Sequence, residues 1–176
     1  IRMSYQPHVA RLLEGKATVV GPADNCQYSL FTLSSLDRWV GELGKPDIVH
    51  WNNGLHDSGH NPDRSPVQIP VEMYCANLGF VLKRLKSWTP HVLWATMTPM
   101  HPSRPLRATE WSWRNEEIVQ YNAAARKLMQ ANGVSITELH KLVWDNRSAF
   151  FSEDGIHLAE SGQTACAQAV VAAVSA

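Results

Sequence analysis

The alternation of short apolar runs with amphipathic stretches constrains this chain more than any other feature. The runs are 17–20 (Ala-Thr-Val-Val), 47–51 (Asp-Ile-Val-His-Trp), 91–96 and 134–136. Each is short enough for a strand and bounded by Gly, Pro or Asn. Between them Leu33, Leu36, Trp39 and Val40 recur at helical spacing. So do Val71, Tyr74, Leu78, Val81, Leu82, Leu85 and Trp88, and then Ile118, Tyr121, Ala125, Leu128 and Met129. A short helix around Tyr5 to Leu13 precedes the first run, and a helix over 159–176 closes the chain. Gly41 and Gly44 are read as ending the second helix, and Gly133 the one before the last strand. This rhythm predicts an α/β fold with parallel strands and right-handed crossovers.

The length, 176 residues, predicts one domain spanning 1–176. A fold of this size buries roughly 70% of the surface its unfolded chain exposes, so it needs no disulfide or metal staple. Hydrophobic residues make up 44% and charged residues 18%, a globular balance that excludes a disordered tail or a coiled coil. Lys plus Arg and Asp plus Glu are each 16, which argues against a nucleic-acid partner, since that needs a basic face. No apolar run approaches the roughly 20 residues needed to span a bilayer. Cys26, Cys75 and Cys166 are odd in number and far apart, so they imply no disulfide framework and assign no compartment. Ile1-Arg2-Met3-Ser4 carries no signal-peptide grammar, and the expectation is that more chain precedes it.

In open parallel sheets the chemistry sits in loops at the carboxyl ends of the strands. The loops to inspect are therefore 21–29, 52–66, 98–113 and the segment before the last helix. That last segment holds Asp154-Gly155-Ile156-His157-Leu158. An Asp three residues before a His on a tight loop can fix the imidazole tautomer, leaving the other ring nitrogen as a general base. The same spacing occurs at Asp47/His50 and Asp57/His60. On the strand at 47–51 it sends the two side chains to opposite faces, so that pair is discounted. The bland reading of Asp154 and His157 is a helix N-cap loop with a surface histidine. The loop Asn52-Asn53-Gly54-Leu55-His56-Asp57-Ser58-Gly59-His60 is open to three readings. It is a metal site on His56, His60 and Asp57 or Asp63, a polar loop bonded to its own backbone, or a set of anion-stabilising donors. No Gly-x-Ser-x-Gly elbow and no Gly-rich phosphate loop occurs.

Taken together, Asp154-Gly155-Ile156-His157-Leu158 before a terminal helix and Gly54-Leu55-His56-Asp57 closing a strand resemble the SGNH (GDSL) hydrolase family. Residues 25–29, the strand end at 96–99 and the helix start at Arg114 to Ile118 fit the same order of blocks along essentially the whole chain. The resemblance implies a three-layer α/β/α fold with a mostly parallel, flavodoxin-like sheet. It implies an esterase in which Asp154 orients His157 and a serine attacks the ester. That serine belongs to a Gly-Asp-Ser block expected immediately before Ile1, on a strand between those at 17–20 and 47–51. His56 stands where the family carries an asparagine oxyanion donor, and Gln27 where it carries a glycine with a donating backbone N–H. Asn25 and Gly54 complete the implied oxyanion and substrate region. No metal and no cofactor is implied.

The implied substrate is a small-molecule or saccharide ester with a small, acetyl-like acyl group, because the chain has no room for a large lid. Of the seven tryptophans, Trp39, Trp88 and Trp94 fall at packing positions. Trp111 and Trp113 stand at the edge of a long loop and either stack on substrate or pack beneath the loop. Two rivals stay open. One is a non-catalytic carbohydrate-binding module lacking the serine. The other is a metal-dependent hydrolase using His56, Asp57, His60 and His157.

Overall fold

The structure, a computed structural model, describes residues 1–62, 67–103 and 111–176. Three parallel strands form the sheet: β1 (Ile48–Trp51), β2 (His91–Ala95) and β3 (Ser135–Thr137), in the order β1-β2-β3. Trp51 pairs in register with Trp94, and Trp94 with Ile136. The helices are α1 (Arg2–Leu12), α2 (Ser29–Leu43), α3 (Val71–Lys86), α4 (Asn115–Ala131), α5 (Leu139–Asp145), α6 (Arg147–Phe150) and α7 (Glu160–Val174).

Alternation along β2 divides the interior in two, because successive side chains leave a strand on opposite faces. Trp94 joins one core with Trp39, Tyr74, Leu78, Ile118 and Met129, drawn from α2, α3 and α4. Ala95 joins the other with Tyr5, Val9, Val143, Cys166 and Val170, drawn from α1, α5 and α7. Helices on both faces of a parallel sheet give the expected α/β/α layering. The stripe Leu78, Val81, Leu82 and Leu85 on α3 is buried throughout. Each such side chain stabilises the fold by roughly 1.5–3 kcal/mol.

Three expectations need correction. Residues 17–20 are not a strand: they pair with no other strand among the described residues, and Val19 alone of them leans on a core. Their β-branched composition favours a strand, but a strand exists only through a ladder partner. The second helix runs through Gly41 and stops at Gly44, whose φ of 85° ends it, since one exposed glycine costs a helix only about 1 kcal/mol. The last strand starts one residue late, and the helices α5 and α6 were missed although Leu139, Leu142 and Val143 carry helical spacing. Parts of the loops read at 52–66 and 98–113, including Asp63, lie outside the described residues.

Candidate active site

The loop before α7 is closed by its own hydrogen bonds. Asp154 Oδ1 accepts the backbone N–H groups of Ile156 and His157, each at 2.9 Å, and the Ser152 hydroxyl at 2.8 Å. Its other oxygen, Oδ2, lies 2.6 Å from His157 Nδ1. Burial works against charge on Asp154, but the hydrogen bonds from the ring, the two backbone groups and Ser152 outweigh it. They hold the carboxyl well below its ordinary value. A carboxylate held in this way accepts the Nδ1 proton, which leaves Nε2 of His157 unprotonated and outward-facing in the neutral ring. Both side chains are about half exposed. The Phe151–Leu158 bridge closes the loop's base, and the His101 N–H donates to Gly155 O at 2.9 Å, tying the loop to the chain leaving β2.

The second cluster joins the segment before α2 to the loop leaving β1. Asn53 is buried; its Oδ1 accepts the Trp51 indole N–H at 2.7 Å, and its Nδ2 donates to Thr32 Oγ1 at 2.9 Å and Gln27 O at 3.3 Å. Asp57 is fully buried and caps α2, both oxygens accepting the Ser29 N–H at 3.0 Å while Ser29 Oγ also donates to it. Burial pushes the Asp57 carboxyl up to about 6 even against those bonds. Gly54 takes a φ of 132°, and a Cβ there would meet Met97 and lie 2.9 Å from the Tyr74 hydroxyl, so only glycine fits.

Gln27 has a φ of 49°, the single non-glycine residue with positive φ among the described residues. Such a conformation costs of order 1–3 kcal/mol and persists where neighbours over-determine it. Here Asn25 Oδ1 accepts the Gln27 N–H at 3.1 Å while Asn53 holds its carbonyl. With Oδ1 so engaged, Asn25 Nδ2 faces His56 Nε2 at 3.4 Å, which makes Nε2 the acceptor and leaves the ring proton on Nδ1. Burial lowers the His56 pKa, which favours the neutral ring.

The structure thus brings Asn25, Gln27, Gly54 and His56 into one network and Asp154 and His157 into another. Both stand at the carboxyl end of the sheet, and no hydrogen bond joins them among the described residues. The four side chains of the metal reading do not converge. His56 meets Asn25, Asp57 meets Ser29, His60 meets Glu117 at 2.6 Å, and His157 meets Asp154. Among the described residues no three His, Cys, Asp or Glu side chains gather in a metal-binding arrangement. His50, discounted above, hydrogen-bonds Thr137 Oγ1 at 3.0 Å, and burial lowers its pKa to about 4. Sequence reading missed Ser152, Asn53 and the capping role of Asp57. Ser152 stands two residues before Asp154, a local pattern that could have been found.

Among solved structures, an acetyl xylan esterase, AlAXEase, superposes with a TM-score of 0.78 at 16% identity, over 99% of this chain and 92% of its own. A lipase/acylhydrolase from Enterococcus faecalis gives a TM-score of 0.71 at 20% identity, covering 97% and 82%. A GDSL-like lipase from Bacteroides thetaiotaomicron gives 0.70 at 15%, covering 97% and 83%. The chain therefore has the fold of GDSL-type (SGNH) acyl hydrolases. No family model matches it, and no curated protein matches it in sequence.

Proposed function

We propose that this protein is a serine esterase that removes small acyl groups, acetyl above all, from carbohydrate esters. The observation that carries the reading is the 2.6 Å contact between Asp154 Oδ2 and His157 Nδ1, on a loop whose other hydrogen bonds aim the carboxylate. Its fold is shared with acetyl xylan esterases and GDSL-like lipases, which supports ester hydrolysis as the reaction class. The nucleophile is the serine that the resemblance expects next to Ile1.

In the proposed reaction the serine Oγ attacks the ester carbonyl carbon while His157 Nε2 takes its proton. The C–O bond to the alcohol then breaks, and the imidazolium returns the proton to the departing alkoxide. Water repeats the sequence on the acyl-enzyme and releases the acid. Asp154 keeps the proton on Nδ1 and stabilises the imidazolium as it forms. The developing oxyanion takes a hydrogen bond from His56 Nδ1–H.

The test is a fluorophosphonate probe on the intact protein, with the modified peptide mapped by mass spectrometry. The expected adduct is on the serine joined to Ile1, lost in His157→Ala. An intact protein that forms no adduct and hydrolyses no acetate ester is the non-catalytic binder instead.

A further inference from the structure

Trp111 and Trp113 meet different fates. Trp113 is buried, and its indole N–H donates to Leu55 O within the loop after β1. Trp111 is 37% exposed and lies stacked on Trp113, with ring centroids 6.2 Å apart and planes 24° from parallel. Its edge meets His56 at 6.3 Å and 67°.

The pair is held from both sides. Beneath it, Gly59 leaves room for both rings, since a Cβ there would stand 3.0 Å from each. Beside it, His60 and Ser112 exchange backbone hydrogen bonds at 2.8 and 3.1 Å. The His60 ring is clamped to Glu117 at 2.6 Å, at the start of α4. A large aromatic ring fixed in a half-exposed position forgoes burial free energy that a slightly different loop would recover. The polar groups beside it, His56 and Ser112, suit a ligand with hydroxyls at its rim and a flat apolar face. Among the described residues they do not make the continuous apolar groove an acyl chain requires.

Resting on the esterase reading above, we propose that Trp111 is the platform for the alcohol half of the substrate. Its outward face stacks on the sugar ring that carries the acetyl group, and this directs the ester carbonyl toward His56. Trp113 and Gly59 set the height of the platform, and Trp111 is the residue that confers selectivity for saccharide esters over simple ones.

Hydrolysis of acetylated xylobiose and of ethyl acetate, followed by pH-stat on the intact protein and its variants, tests this. Trp111→Ala lowers the ratio of kcat/KM for the saccharide acetate to that for ethyl acetate by about tenfold or more, chiefly through KM. Trp111→Phe, which keeps a flat ring, retains most of the ratio. In a His157→Ala background, acetylated xylobiose quenches indole fluorescence, and the added Trp111→Ala change abolishes the quenching. An unchanged ratio in Trp111→Ala overturns the platform while leaving the esterase reading standing. A larger loss on ethyl octanoate than on the saccharide acetate assigns the shelf to an acyl chain and also overturns it. Wild-type protein that hydrolyses neither acetate overturns the esterase reading beneath it.

Discussion

The base half and the donor half of the candidate site are built by opposite means. The base half is drawn from six consecutive residues, 152–157, with Asp154 and His157 about half exposed and every hydrogen bond to the carboxylate made inside the loop. The donor half draws on the segment before α2, the loop after β1 and α3, where Asn77 Nδ2 reaches Ser29 Oγ across 48 positions of chain. Its Ser29, Asn53 and Asp57 are all buried. A local, exposed loop can lose a side chain with little cost to folding, whereas a buried network cannot, because each orphaned polar group keeps its desolvation penalty. Chemistry and stability should therefore separate cleanly at one half and not at the other.

The largest expected effect lies in the base half. His157→Ala should lower ester turnover by about a thousandfold or more, with the urea denaturation midpoint essentially unmoved. Turnover is followed by pH-stat on ethyl acetate. Near-normal turnover would remove His157 from the reaction. A large loss of stability would instead show that this loop is as integral as the donor half.

The same contrast explains what the sequence disclosed. Asp154 and His157 are legible because their geometry is decided within four residues, and the layers are legible because helical spacing is local. Asp57 shows the opposite. Its nearness to His60 suggested a pair, yet the carboxylate caps α2 from 28 positions away, and nothing near either residue announces it. Residues 17–20 failed for a related reason, since propensity speaks for a strand and only a partner makes one. The strain at Gln27 is half legible: the resemblance marks the position as one for glycine, but the Asn25 and Asn53 bonds that support it are tertiary.

The buried half makes its own test through pH. Asp57 holds its proton more tightly folded, at about 6, than at its ordinary 3.8. Its contribution to stability is therefore fullest below pH 4 and is lost as pH rises through 6. His50, lowered from 6.5 to about 4 by burial, acts in reverse; its contribution is present above pH 6.5 and lost as pH falls through 4. Each is worth about 3 kcal/mol and the two oppose each other over the same interval. Asp57→Asn keeps an acceptor for Ser29 and leaves His50 uncompensated. Stability by urea denaturation should then fall by about 3 kcal/mol between pH 6.5 and 4, more steeply than in the wild type. Parallel pH profiles for the two proteins would show that Asp57 is not the opposing group.

His56 sits where the halves must cooperate, and two substitutions sharpen its role. His56→Ala should cost about 100-fold in kcat, the usual loss for one oxyanion donor, and His56→Asn should retain most of the activity because its amide N–H replaces Nδ1–H. Equal damage from both, with unchanged stability, would mean that the imidazole does something other than donate.

The smallest effect should come from Ser152, and it tests whether the base half is as self-contained as it looks. The serine hydroxyl has one proton. It lies 2.8 Å from Asp154 Oδ1 and 3.1 Å from His157 O, and the nearer, charged acceptor takes the larger share. Oδ1 then carries three donors, which leaves Oδ2 to the imidazole alone. Ser152→Ala removes one donor and leaves the two backbone N–H groups, so Asp154 keeps its place but is aimed less firmly. The expected result is a fall in kcat of about tenfold, the scale of one hydrogen bond to a charged group, with KM unchanged. The Asp154 carboxyl, followed by carbon NMR, should titrate at a higher pH than in the wild type, because one of the bonds holding it down is gone. Ser152→Thr, which restores the hydroxyl, should recover both. A change confined to KM, or a carboxyl titration that does not move, would make Ser152 a residue of the loop's shape and not of the aim of its carboxylate.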